Sequence, residues 1–200
     1  MTIKKGEEWG TVGTLPQGSP IASSNRDLFE LINTGGSLDG PIGLTGGDLA
    51  RTTGATASGA DLYGEGRPLL PIDIGTVALD DEDRFFAAHV VIRSRWWSGP
   101  VTAVLNVSFV GEWNVAPRSH PNDGRLDLVE ATLGWGDKIK ARSRLRSGTH
   151  VPHPGISIRR VRTATVDVPP GHGVWVDGVA QPGVRRVVCG IRADAATIVI

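Results

Sequence analysis

The stretch Val115-Ala116-Pro117-Arg118-Ser119-His120-Pro121-Asn122-Asp123-Gly124-Arg125-Leu126-Asp127-Leu128 decides how this chain is read. Asp123-Gly124 is a turn signal, because glycine accepts the left-handed backbone conformations of tight turns and aspartate bonds its own backbone two residues on. Leu126 and Leu128 alternate with Asp127, as residues of a half-buried strand do. The stretch therefore predicts a turn running into a strand. Two carboxylates four residues apart, bracketing that turn, can converge with a backbone carbonyl on a hard divalent cation. In the plainer reading Asp123 only makes the turn and Asp127 faces solvent.

Outward from this stretch the β texture recurs. Ile72 to Leu79 and Arg84 to Ile92 flank the acidic turn Asp80-Asp81-Glu82-Asp83 and read as two strands. Further β-type runs lie at Val101 to Val110, Leu126 to Leu133, Ile156 to Val161, Ala164 to Val168, Val174 to Val176, Val184 to Ile191 and Ala196 to Ile200. One helix interrupts them, near Trp135 to Leu145. With 27 glycines and 13 prolines as punctuation, short strands in an antiparallel sandwich or barrel are expected.

The first part of the chain is different. Residues 1 to 20 read as an irregular arm pinned by Trp9. Ser24-Asn25 can cap a helix over Arg26 to Asn33, with Gly35-Gly36 as its stop. Pro41 to Leu44 is a short apolar strand that leads through Thr45-Gly46-Gly47-Asp48 into a helical turn at Leu49 to Thr52. The expected fold class is α+β, mainly β, with a reduced N-terminal α/β segment over residues 1–60 and a C-terminal antiparallel β-sandwich over 69–200.

Composition narrows the function classes. A chain of 200 residues makes one domain or two small ones. Its 21 basic and 21 acidic residues cancel, so no global field favours nucleic acid, and none is expected as a partner. The single Cys189 sits in an apolar run and reads as a small buried hydrophobe. Met1 to Glu8 lacks the apolar stretch of a signal peptide, and no window approaches the roughly 20 apolar residues of a membrane span, so a cytoplasmic location is expected.

Several patterns could carry chemistry. Prolines 152 and 154 exclude a helical metal pair at His150 and His153, and a rigid loop is the better reading. Gly46 and Gly47 before Asp48 could present backbone amides to an anion, although there is no Walker pattern. Lys138, Lys140, Arg142, Arg144 and Arg146 alternate, so a helix would scatter them around its surface. They read as a solvated face or as a contact for an anionic lipid or phosphorylated ligand. Trp96-Trp97 beside Gly99-Pro100 suits a core edge, a lipid or an interface.

Taken in order, Ala116-Pro117, Pro121-Asn122-Asp123-Gly124-Arg125-Leu126-Asp127, Arg146-Ser147-Gly148-Thr149-His150-Val151-Pro152-His153-Pro154 and Val176-Asp177-Gly178 resemble the C-terminal half of the diacylglycerol-kinase-like lipid kinases, kin to sphingosine kinases and NAD kinases. Gly43 to Gly54 resembles the family's G-T-x-N-D-x-A-R-x-x-G segment, which closes the nucleotide domain. The resemblance implies ATP and Mg²⁺ as cofactors, with Asp123, Leu126 and Asp127 toward the metal; an active enzyme would need a non-standard nucleotide site at Gly46, Gly47 and Asp48 and Asp177 as a substitute for the catalytic glutamate.

The chain departs from the pattern in three places. Ser23-Ser24-Asn25-Arg26-Asp27 stands where the G-G-D-G-T loop should lie, Gly47 replaces the asparagine of the N-D pair, and Val179 replaces the glutamate of Asp-Gly-Glu. A valine accepts no proton. The expectation is a truncated, divergent relative without autonomous kinase activity. It would bind a lipid, a phosphorylated small molecule, or a protein partner or second copy of itself, with at most peripheral membrane contact. An active lipid kinase and a regulatory subunit anchored by Trp96 and Trp97 are the alternatives.

Overall fold

Two long antiparallel strands carry the architecture of the computed structural model, which describes residues 8–34 and 40–200. In chain order the elements begin β1 (Thr11–Gly13), β2 (Ile21–Ala22), α1 (Asn25–Asn33), β3 (Ile42–Leu44), α2 (Gly47–Thr53), β4 (Arg67–Leu79), β5 (Glu82–Phe86), β6 (His89–Ser94) and β7 (Val101–Leu105). They continue with β8 (Phe109–Val110), β9 (Trp113–Asn114), β10 (Leu126–Ala131), α3 (Trp135–Leu145), β11 (Ile156–Val161), β12 (Ala164–Asp167), β13 (His172–Val176), β14 (Val179–Gln181) and β15 (Arg186–Val199). None of the described helices is long and apolar enough to cross a membrane.

β4 and β15 pair over most of their length, from Leu79 opposite Val187 to Leu69 opposite Val199. At one end β1, β3 and β2 extend the sheet, and at the other β5 and β12 do. Among the described residues only the β2–β3 and β3–β15 pairings are parallel. A second sheet, antiparallel throughout, runs β11-β10-β7-β6-β13-β14, and β8 and β9 form a separate hairpin. The fold is mainly β and α+β, as expected.

The cores sit on opposite faces of the long pair. Leu70, Ile72 and Ile74 of β4 pack with Ala196 and Ile198 of β15 against Leu28, Ile32, Leu44 and Leu49 of the N-terminal elements. Val77 and Leu79 instead join Val187, Cys189, Phe86, Val90, Ile92, Val104 and Leu126 between the two sheets. The even positions of β4 thus serve one core and the odd positions the other, because alternate side chains leave opposite sides of a strand. Phe86 lies across Gly75, where a β-carbon would stand 2.2 Å from its ring. Burial pushes the Cys189 thiol up to about 12, consistent with an inert packing residue.

Four expectations change. The run from Arg84 to Ile92 is two strands in different sheets, with Ala87 and Ala88 making the crossing. The runs Val184 to Ile191 and Ala196 to Ile200 belong to one strand, β15, interrupted by a bulge between Arg192 and Ala196. Val101 to Val110 is divided between β7 and β8. The N-terminal arm contains β1 on the edge of β4, and Trp9 fastens it through its Nε1–H to the Pro71 carbonyl at 2.9 Å. Ser24 caps α1 as anticipated, accepting from the Asp27 amide at 3.1 Å. The glycine stop at 35–36 lies outside the described residues.

Because Phe86 is fully buried against a glycine made for it, Phe86→Ala should destabilise the chain by about 3–5 kcal/mol, read as a lower urea midpoint at unchanged slope.

Candidate functional site

Polar residues inside the chain converge where α1, α2 and the second sheet meet. Asn25, first residue of α1, donates through Nδ2 to Asp48 Oδ2 at 2.6 Å, and its Oδ1 accepts the Asp48 amide at 2.6 Å. Asp48 Oδ2 also lies 2.9 Å from His89 Nε2, while its Oδ1 accepts the Gly111 amide at 2.8 Å. Beyond His89, the buried Asp177 carboxylate accepts the amides of Ala87, Ala88 and His89 at 2.8, 2.9 and 2.8 Å. The Asp177 amide returns a bond to the His89 carbonyl at 2.9 Å.

Electrostatics follow from this connectivity. Burial works against the Asp48 charge, but the hydrogen bond and charge of His89, with the donors Asn25 and Gly111, hold its carboxyl below the usual range. Burial also opposes a charged His89, yet the Asp48 bond and the charges of Asp177 and Asp48 outweigh it and raise the imidazole above its ordinary value. For Asp177 burial dominates and pushes the carboxyl up, against the pull of His89 and the three amides. Asp177 and Gly178 both have positive φ, 47° and 82°, and form the two-residue turn between β13 and β14. The geometry of Asp177 is that of a positioning residue, whose oxygens are taken up by backbone.

Gly46 and Gly47 serve close packing. A β-carbon on Gly46 would stand 2.1 Å from the Ser23 carbonyl oxygen, and one on Gly47, at φ 89°, 2.6 Å from Asn25 Oδ1. The turn before α2 therefore presses against the turn before α1. Asp48 between them has its oxygens engaged by protein donors.

The stretch Pro121 to Asp127 is anchored by a residue that sequence reading missed. Asp73 of β4, fully buried, accepts the Gly124 amide at 2.6 Å and the Asp194 amide at 2.9 Å, and its own amide donates to the Pro121 carbonyl at 2.7 Å. Asp123 accepts the Arg125 amide at 3.0 Å through Oδ1, and its Oδ2 pairs with the Arg160 guanidinium. Arg160 lies directly across the β10–β11 ladder from Asp127. Asp127 is buried, which raises its carboxyl, and Ser119 offers it a hydrogen bond. Leu126 is fully buried among the inter-sheet residues. Among the described residues no three His, Cys, Asp or Glu side chains converge for a metal. With a guanidinium already on Asp123, the loop as it stands does not suit a resident Mg²⁺.

A groove occupies the outer face of the second sheet. Val91, Ala103 and Val129 form its floor, Leu133 and α3 one wall, and Trp96, Trp97 and Trp113 the other. Its volume is about 560 Å³, and four of the six tryptophans line it, Trp135 being the fourth. Trp97 meets Trp113 edge to face at 5.4 Å, and the Arg93 guanidinium lies between Trp97 and Trp175 at 4.3 and 4.0 Å from their rings. Lys138 ties α3 across the opening, donating to the Trp97 and Gly99 carbonyls at 3.0 and 3.2 Å. His150 also lines the groove, with Nε2 3.1 Å from the Val115 carbonyl and Nδ1 without a hydrogen-bond partner. Burial holds its imidazole below the ordinary value. Among the described residues, His150 and His153 have no third metal-ligating side chain beside them.

Sequence reading named Asp48, Asp123, Asp127 and Asp177 but missed His89, Asp73 and the groove. The signal for the first two was a charged or polar residue inside an apolar strand, as in Pro71-Ile72-Asp73-Ile74 and Ala87-Ala88-His89-Val90.

A two-sheet antiparallel sandwich shares its longest strands with a small N-terminal α/β part. No protein-family model and no curated protein sequence matches the chain. Solved structures do: a diacylglycerol kinase of Bacillus anthracis str. Sterne matches with TM-score 0.60 at 12% identity, over 90% of this chain and 74% of that one. Two further structures from that organism, described provisionally as diacylglycerol kinase, reach 0.63 at 12% identity, over 90% of this chain and 76% and 74% of theirs. The chain has the diacylglycerol-kinase-like fold.

Two predictions follow from these sites. The folded pKa of His89 lies above the ordinary 6.5, so its contribution to stability is complete below that pH and is lost as pH rises through the folded value. Asp48, depressed below 3.8, contributes above that pH and loses its contribution as pH falls through its folded value. Urea midpoints should therefore decline on the alkaline side in the native chain, and His89→Gln should flatten that decline. At the Asp123 loop, millimolar Mg²⁺ should leave the melting temperature of the native chain unchanged, whereas Arg160→Ala should make it rise with metal concentration.

Proposed function

We propose that this chain binds a lipid through the groove of its second sheet and does not transfer phosphate on its own. The groove carries the reading. It is an open, mainly aliphatic and aromatic trough of about 560 Å³, with Lys138 and Arg142 among its lining residues. That combination suits an acyl chain bearing a polar or anionic head.

The absence of autonomous transfer is supported by residues at the other site. Phosphoryl transfer depends on positioning and on neutralising charge at the moving group. Val179 offers no base, the Asp177 oxygens are held by amides, Gly46 and Gly47 abut the preceding turn, and Arg160 neutralises Asp123. The rival reading is an active ATP-dependent lipid kinase using Mg²⁺. It draws on the buried cluster of Asp48, His89 and Asp177 at the junction of the two parts, together with the kinase description of the structural relatives.

Calorimetry and a lipid probe separate the readings. Titration with Mg-ATP to millimolar concentration should release no heat, and a saturable isotherm would favour the kinase. An NBD-labelled fatty acid should bind with a fluorescence rise. Ala103→Trp, which fills the groove floor, should weaken that binding by roughly tenfold or more while leaving the chain folded.

A further inference from the structure

We propose that the rim of the groove docks on an anionic membrane surface, so that a lipid passes between bilayer and groove without crossing water. The proposal rests on the lipid reading of the groove. Its observation is a set of large apolar side chains left uncovered at one edge. Trp96 is 80% exposed, Trp135 82% and Ile139 60%, yet all three line the groove. In the eleven residues of α3 only Ala141 is buried, so the helix turns little of its surface into the protein.

Charge selects the occupant of this edge. The chain as a whole is neutral, but from Trp135 to Arg146 it carries five cations against one carboxylate, Asp137. Asp137 lies 3.9 Å from Lys140, and Glu112, the acid of the neighbouring hairpin, is paired with Arg146 at 2.6 Å. Arg95, Lys138, Arg142 and Arg144 have no carboxylate partner among the described residues. Exposed tryptophans beside unpaired cations match the two layers of a bilayer surface, where indole rings sit at the headgroup level and cations meet lipid phosphates. A soluble apolar partner would satisfy the tryptophans but leave those cations without counter-charge. Lys138 holds α3 to the loop bearing Trp96, so both flanks of the groove mouth would meet the membrane together.

Vesicle flotation tests this. At low salt the full chain should float with phosphatidylcholine vesicles containing phosphatidylserine, float poorly with phosphatidylcholine alone, and be released by high salt. The tryptophan emission should shift to the blue on binding. Replacing Trp96, Trp135 and Ile139 by serine should weaken partition by roughly tenfold or more. Being exposed, these substitutions should leave the melting temperature intact, and because the three residues also line the groove, NBD-fatty-acid binding is read on the native chain. Failure of the native chain to float, or equal flotation of the triple variant, would overturn docking while leaving the groove reading standing if the probe still binds. Flotation with no probe binding would instead overturn the groove reading and keep docking. A native dimer that the triple variant converts to monomers, without flotation of either, would assign the rim to a second copy of this chain and defeat the proposal.

Discussion

The crossing at Ala87-Ala88 depends on one carboxylate. Here the chain leaves the long-stranded sheet and enters the second, and a crossing interrupts the ladder that would otherwise satisfy its backbone amides. Asp177 supplies the acceptors, from the turn that ends the neighbouring strand β13. Three amide donors on a buried carboxylate make a charge-assisted cluster of the stronger kind. Because His89 follows directly, the same cluster fixes the imidazole that Asp48 meets, and through Asp48 the turn preceding α1 and the β8–β9 hairpin. The N-terminal elements and the sandwich are held in register by this line of contacts as well as by the shared strands β4 and β15.

Asp73 plays the corresponding part at the other junction. It draws together the turn at Pro121–Gly124 and the bulge of β15, whose irregularity brings the Asp194 amide inward. Asp73 and Asp177 thus act through backbone, organising turns that carry other residues. The consequence for chemistry is that resemblance of a short motif and availability of its side chains are separate matters. Asp177 and Asp48 keep family-like positions in the sequence, but their oxygens are engaged by this chain's own donors.

The groove follows a different logic. A sheet apolar on both faces needs cover on both. The inner face of the second sheet is covered by the first sheet, while its outer face has only α3, the β8–β9 hairpin and the tryptophan loop as incomplete cover. The exposed rim and the unpaired cations arise from that incompleteness.

Local chemistry in the sequence was enough for the elements: the Ser24 cap, the strand–glycine–helix order at Ile42 to Thr53, helix α3, the turn at Asp123-Gly124, the packing role of Cys189, and the mainly β class. Each depends on periodicity, capping or turn propensity within a few residues. The phase change in β4, from even apolar positions through Ile74 to odd ones from Val77, was also written there, as an unread sign of two cores. Other features belong to the tertiary structure alone. Arg84 to Ile92 breaks between sheets without a glycine or proline to mark it, and the β15 bulge joins two runs that read separately. Arg160 reaches Asp123 because β11 pairs with β10 in one register, and the tryptophans meet because a loop, a hairpin and a helix from distant parts of the chain cover one face of the second sheet. Alternation tells which side chains share a face, but only the pairing of remote strands decides what that face meets.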